Sequence, residues 1–442
     1  MSNTWLTMSM ADLGRGIAKG EIDPEALTRT YLDAIKSHPF ADRIYARVTE
    51  ERALSEARAA AERARTGHRL GLLDGVPISW KDLFDTAGVA TEAGSALLKN
   101  RVPTEDAEVL RNATAAGLVC LGKTHMSELA FSGLGLNPVT ATSPCVNDHD
   151  AVSGGSSSGA ATSVAFNLAP CGIGSDTGGS VRIPSAWNDL VGLKTTSGRV
   201  SAKGVVSLAA RFDTVGPLCR TVEDAALMLA ALEGGQAADL RGASLNKTRL
   251  LVLENGFEGC RDEPMAGFDS ALGRLMDGGA EVKRIHLPIV DEALALSGVL
   301  FTTEAYATWR TEIEAQPDLM FPAIRERFMS GAAFSGADFV AAWQRLDAIR
   351  AEFMSEIAGF DAVVLPTSPI MPPNVERLMS DQDYYVEENL WALRNTRIGN
   401  LLGLCGLSLP TGLPSTGIML LGAPFGEERL LRLGAAAEAV LS

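Results

Sequence analysis

Cysteine is scarce in this sequence: six stand singly among 442 residues, with no Cys-x-x-Cys pair. A zinc knuckle or a disulfide framework is therefore not indicated, and the thiols read as small buried apolar side chains. Histidine is scarcer still, five in all and without ligand spacing, so neither a metal nor another cofactor is expected. Long apolar runs are missing, and the first residues lack a basic segment ahead of an apolar core; a cytoplasmic chain with no membrane partner is the expectation. Positive charge is in deficit, 39 Lys and Arg against 54 Asp and Glu, giving a formal charge of −15 at pH 7 with no dense basic stripe. Nucleic acid is thus not an expected partner, and small substrates fit better than polyanions.

What the chain does have is apolar bulk. Apolar residues make up 46% and charged residues 21%, the balance of a globular protein with a large core. Length alone admits two or three domains, but neither an internal repeat nor a low-complexity linker divides the chain, so one layered domain over 1–442 is expected. Asp23-Pro24-Glu25 supplies an N-cap, a first-position proline and a first-turn acid, and Leu27, Tyr31, Ala34 and Ile35 follow at helical spacing. A second helix is predicted over 49–65, closing at Gly67. Strands are predicted at 75–78 and 118–121 around a helix at 105–116, followed by a helix at 160–168. Further on come strands at 249–253, 281–287 and 361–365 among helices at 265–276, 337–357 and 427–441. This alternation indicates an α/β fold.

Between 153 and 201 the composition shifts to Gly, Ser, Thr and Ala. In Ser175-Asp-Thr-Gly-Gly-Ser180 the two glycines let the backbone N–H groups of Thr177, Gly178 and Gly179 converge on an anion, with Ser180 beside them; the same hexapeptide is also compatible with a plain glycine-rich turn. Gly154-Gly-Ser-Ser-Ser-Gly159 gathers hydroxyls at a helix start but lacks the lysine of a phosphate loop. The full phosphate-loop string over 117–124 has the apolar interior Leu118-Val-Cys-Leu121 and reads as a strand. Gly155-Ser-Ser-Ser-Gly159 also fits a nucleophile elbow, with Ser157 as an esterase nucleophile, yet the sole downstream histidine is His286. Ser244-Leu-Asn-Lys247 matches another serine–lysine string but lies in an apparent surface connection. Lys81 follows the apolar Val76-Pro-Ile-Ser-Trp; it is either a salt-bridged lysine or, if buried, a base. Keeping an ordinary lysine neutral at pH 7 costs about 4.6 kcal/mol, which burial or a relay of hydroxyls must offset.

Taken together, Gly75-Val-Pro-Ile-Ser-Trp-Lys-Asp, the stretch from Ser153 to Arg199, Phe212-Asp-Thr-Val-Gly-Pro-Leu-Cys-Arg and Asp361-Ala-Val-Val-Leu-Pro-Thr-Ser-Pro resemble the amidase signature family over most of the chain. The resemblance implies a large mixed β-sheet core wrapped by α-helices, with the catalytic core at about 70–220. It implies an amidohydrolase that cleaves the C–N bond of a small-molecule amide. Ser180 is then the acylated nucleophile, Ser156 a relay serine with a cis peptide and Lys81 the neutral base. Thr177, Gly178 and Gly179 form the oxyanion hole, supported by Ser157, Asp176 and Arg182. His125, Phe131, Trp187 and Trp309 are candidate pocket residues, although core packing is the default for each aromatic. Homodimerisation is left open. Two alternatives stand beside this: a glutaminase subunit of a tRNA-dependent amidotransferase, and the same fold kept as a non-catalytic binding subunit. The glutaminase would place an acid shortly before Asn400, where Leu393-Arg-Asn-Thr-Arg stands; Arg394 and Arg397 there either meet an anionic substrate or are exposed helix charges.

Overall fold

Asp23 caps its helix as its position suggests, its carboxylate accepting from Ala26 N–H at 2.8 Å. The helix runs Pro24–Ser37 and buries Leu27, Tyr31 and Ile35 on one face. The next, Glu50–Thr66, ends at Gly67 with φ +75°, a left-handed position that a glycine adopts without strain. These belong to a computed structural model that describes residues 2–442.

Eleven strands form one sheet: β1 (Tyr45–Val48), β2 (Pro77–Lys81), β3 (Val119–Thr124), β4 (Cys171–Ser175), β5 (Val191–Lys194), β6 (Val215–Cys219), β7 (Arg249–Leu253), β8 (Glu281–Ile285), β9 (Ala362–Pro366), β10 (Cys405–Pro410) and β11 (Gly417–Gly422). Their spatial order is β1-β3-β2-β4-β6-β5-β10-β11-β9-β7-β8. Pairing is parallel around β2, between β3 and β4, and around β7, between β8 and β9; it is antiparallel elsewhere. The sheet is thus mixed and wrapped by helices. No described helix is long and apolar enough to cross a membrane.

Strands differ from the sequence expectation where polar or ring residues disguise them. β2 continues to Lys81 although Ser79 and Lys81 are polar, because every residue of the strand is buried on both faces. β6 carries Pro217 opposite Ile173, a residue that argues against a strand in sequence terms. The short helix Ser158–Ala165 lies across β4 at very close range: a Cβ on Gly172 would collide with the carbonyl oxygen of Ala160. Gly172→Val is accordingly expected to destabilise the fold by about 1–3 kcal/mol through overpacking, read as a lowered denaturant midpoint.

Candidate active site

Adjacent parallel strands finish side by side, and β2 and β4 are in register from Ser79↔Gly172 to Trp80↔Ile173. Their last residues, Lys81 and Ser175, therefore meet at the carboxyl end of the sheet, the edge where open α/β sheets place their sites. Lys81 Nζ lies 2.8 Å from Ser175 Oγ and 2.7 Å from Ser156 Oγ. Ser156 sits just ahead of the helix Ser158–Ala165, with a cis peptide between Gly155 and Ser156. Its carbonyl accepts from Ser127 N–H, and Gly155 N–H donates to Gly133. Lys81 is completely buried. Burial pulls its pKa down to about 7, against the opposing effect of the Asp176 and Asp213 carboxylates. Sequence reasoning missed Ser175; the parallel register with β2 is the signal that places it.

Beyond β4 the chain turns around a buried carboxylate. Asp176 accepts from the N–H groups of Gly179 (2.8 Å) and Val181 (3.2 Å), from Arg182 Nε (3.0 Å) and Nη2 (2.9 Å), and from Asn400 Nδ2 (3.0 Å). Burial works to raise its pKa, but Arg182 outweighs burial and holds the carboxyl well below its usual range. Gly179, at φ +143°, packs so tightly on Thr396 that any Cβ would strike its hydroxyl. One expectation changes here. Gly179 N–H is committed to Asp176, whereas the N–H groups of Thr177, Gly178 and Ser180 have no hydrogen-bond partner among the described residues. The donors available to an oxyanion are these three, Ser180 replacing Gly179.

Ser180, Thr177 and Gly178 line a cavity of ≈ 320 Å³ walled by Phe131, Leu208 and Leu393. Of the four expected pocket residues only Phe131 is there. His125 instead holds a helix start through its backbone, its carbonyl accepting from Gly159 N–H, and burial lowers its imidazole pKa to about 4. Trp187 is buried behind the site with its indole N–H on the Ile370 carbonyl, and Trp309 donates to Ser207 O. Ser157 is a support, its hydroxyl donating to the Ser175 carbonyl at 3.2 Å. No histidine reaches it, and His286 pairs at the surface with Asp291, which removes the esterase alternative. Arg394 is salt-bridged to Glu258; Arg397 borders the cavity, as does Arg327, which the sequence alone does not single out.

A serine open to a cavity, beside free backbone N–H groups and near a buried lysine–serine pair, is the equipment of an acyl-transfer enzyme built without histidine. The chain belongs to the amidase signature family: the family model described as "Amidase" matches residues 26–431. It is 34% identical, over 96% of each chain, to a protein of Pseudomonas fluorescens named as a subunit of the glutamyl-tRNA(Gln) amidotransferase. Its fold matches a crystal structure of an amidase with a TM-score of 0.88 at 30% identity, covering 98% of this chain and 100% of the other. It also matches the peptide amidase of Stenotrophomonas maltophilia, TM-score 0.83 at 26% identity, over 98% and 96%. The family and its relatives make this an enzyme acting on C–N amide bonds, as hydrolase or amidotransferase.

Removing Arg182 leaves the Asp176 charge buried and uncompensated. Arg182→Met is expected to cost about 3–5 kcal/mol of stability, and the double variant with Asp176→Asn markedly less than the two single losses added together, as measured by a double-mutant cycle in denaturant.

Proposed function

We propose that the chain is a single amidase domain that hydrolyses the C–N bond of a small carboxylic amide through an acyl-enzyme on Ser180. The observation that carries this is Lys81: an amine with no access to water, its pKa near 7, hydrogen-bonded to the hydroxyl of Ser156. A neutral lysine has two N–H bonds and one lone pair. With one N–H donated to Ser175 Oγ, the lone pair is left to accept the Ser156 hydroxyl proton.

Ser180 Oγ attacks the amide carbonyl while its proton passes to Ser156 Oγ, and the Ser156 proton passes to Lys81 Nζ. The negative charge that develops on the carbonyl oxygen faces the N–H groups of Thr177, Gly178 and Ser180. As the tetrahedral species collapses, the C–N bond breaks, and the proton returns from Lys81 through Ser156 to the leaving amine. Water then attacks the Ser180 ester with the same relay accepting its proton, and the carboxylic acid leaves.

A second reading has support in the names of relatives: a glutaminase subunit that passes ammonia to a partner. Against it stands the lining of the Ser180 cavity, in which no carboxylate is available for the α-ammonium of glutamine. Glutamine hydrolysis together with co-purification of a partner subunit would favour this second reading over the first.

Ser180→Ala is expected to lower turnover by at least about 10⁴-fold and to abolish labelling by a fluorophosphonate, and label on another serine would overturn the assignment. The Lys81 pKa is lowered, so the free base is present above about pH 7 and lost below it. The rate kcat/KM should therefore fall about tenfold per pH unit on the acid side, and a flat acid limb would overturn the neutral-lysine base.

A further inference from the structure

Arginines in this protein generally meet carboxylates: Arg394 pairs with Glu258, Arg182 with Asp176, Arg63 with Asp74, and Arg199 with Glu233, Glu427 and Glu428. Two depart from that habit, and both stand at the substrate cavity. Arg327, on the helix Pro322–Met329, and Arg397, on the helix Gln382–Leu401, border the space that Ser180 opens into. With Phe301 they also border a larger outer chamber, so the two guanidiniums stand at the passage between the two spaces.

Among the described residues neither has a carboxylate within salt-bridge distance. Arg397 has neutral acceptors only: Leu393 O at 3.2 Å from Nε, Leu390 O at 2.8 Å from Nη2 and Ser297 Oγ at 3.4 Å from Nη1. Arg327 stacks on Phe131, its Cζ 4.4 Å from the ring centroid, and its buried Nη1 has no hydrogen-bond partner at all. Glu326, the carboxylate lining the outer chamber, accepts from Gln382 Nε2 at 2.8 Å. Burial lowers Arg327 to about 10; burial, with repulsion from Arg327 and Arg394, lowers Arg397 to about 9, so both remain cationic at neutral pH.

Two like charges, taken out of water and set side by side without a counter-ion, are unfavourable until an anion arrives between them. In a chain of net charge −15, carboxylates to pair with them are plentiful. We propose that Arg327 and Arg397 form a carboxylate-binding subsite facing Ser180, so that the preferred substrate is a small amide that also carries a carboxylate. The planar guanidinium fork suits that group, since it donates two parallel hydrogen bonds to one carboxylate. The stacking of Arg327 on Phe131 fixes its plane, and the bonds from Arg397 to Leu390 and Leu393 fix its direction. The inner cavity of ≈ 320 Å³ limits the substrate to a short chain between the amide and the acid. The inference rests on the amidohydrolase reading of Ser180 and adds its substrate class.

Binding and turnover test it separately. In the Ser180→Ala protein, malonate and succinate should bind by calorimetry, and Arg327→Met or Arg397→Met should weaken that binding by roughly 10- to 100-fold. Arg327→Lys, which keeps the charge and loses the fork, should weaken it less and controls for folding. In the enzyme with Ser180 intact, kcat/KM for succinamate should exceed that for butyramide, and Arg327→Met should collapse this ratio mainly through KM for succinamate. N-acetylglycine, with its carboxylate on the leaving amine, reports on the other side of the scissile bond; its preference over N-methylacetamide would equally support the subsite. Absence of dicarboxylate binding, undiminished binding in Arg327→Met, or equal turnover of charged and neutral amides would overturn the proposal. Failure of the hydrolase reading has a different signature: dicarboxylates bind, but Ser180 takes no fluorophosphonate label and no amide is cleaved.

Discussion

The buried carboxylate of Asp176 is the constraint around which the site is organised. Taken out of water, it must be surrounded by donors, and the donors it recruits are the backbone of its own loop and the guanidinium of Arg182. By drawing Gly179 and Val181 N–H groups inward, it leaves those of Thr177, Gly178 and Ser180 facing the other way, into the cavity. The same carboxylate accepts from Asn400 and so ties the loop to the helix Gln382–Leu401, whose residues Leu393 and Arg397 close the cavity from the opposite side. A single desolvated charge thus connects the end of β4 to an element more than two hundred residues later in the chain.

Asp176 also sets a limit on Lys81. Complete burial alone would drive the lysine pKa far down, and the carboxylates of Asp176 and Asp213 draw it part of the way back, to about 7. A base for proton transfer at neutral pH works best when its pKa lies near the working pH, strong enough to accept a proton and free enough to be unprotonated. The arrangement achieves this without a direct ion pair, since the contacts of Lys81 Nζ are hydroxyls. A carboxylate in contact with Nζ would hold the ammonium form.

Much of the fold was legible because amphipathic helices and apolar strands announce themselves by period: the helices starting at Pro24 and Glu50 and the strand β7 fall where the pattern puts them. Strands β5, β6, β10 and β11 were not, since glycine and proline inside them obscure a pattern that burial on both faces had already removed. At the site, the text around Lys81, Ser156 and Ser180 was readable because unusual glycine and serine spacings accompany it. Ser175 was overlooked since its partner is 94 positions away and only strand register joins them. Arg327 was invisible for another reason. In Ala323-Ile-Arg-Glu-Arg-Phe328 it reads as one more charge on a solvated helix face, and nothing local distinguishes it from Arg325, which faces Asp318.

These two kinds of legibility follow the division of labour in the molecule. The groups placed for bond breaking sit on strand ends and on loops anchored to the sheet, at positions where a Cβ on Gly172 or Gly179 already has no room. Such surroundings tolerate few side chains, and so the local sequence is distinctive. The walls that meet the rest of the substrate come from helices 322–329 and 382–401 and from Phe301, none of which contributes to the sheet. A side chain on those helices can exchange charge for bulk without disturbing the register of β2 and β4, because no strand hydrogen bond passes through it. Substrate preference in this architecture is therefore written in the helical cover, where residues such as Arg327 and Arg397 must be judged by whether a partner meets them in space, and the chemistry is written in the sheet.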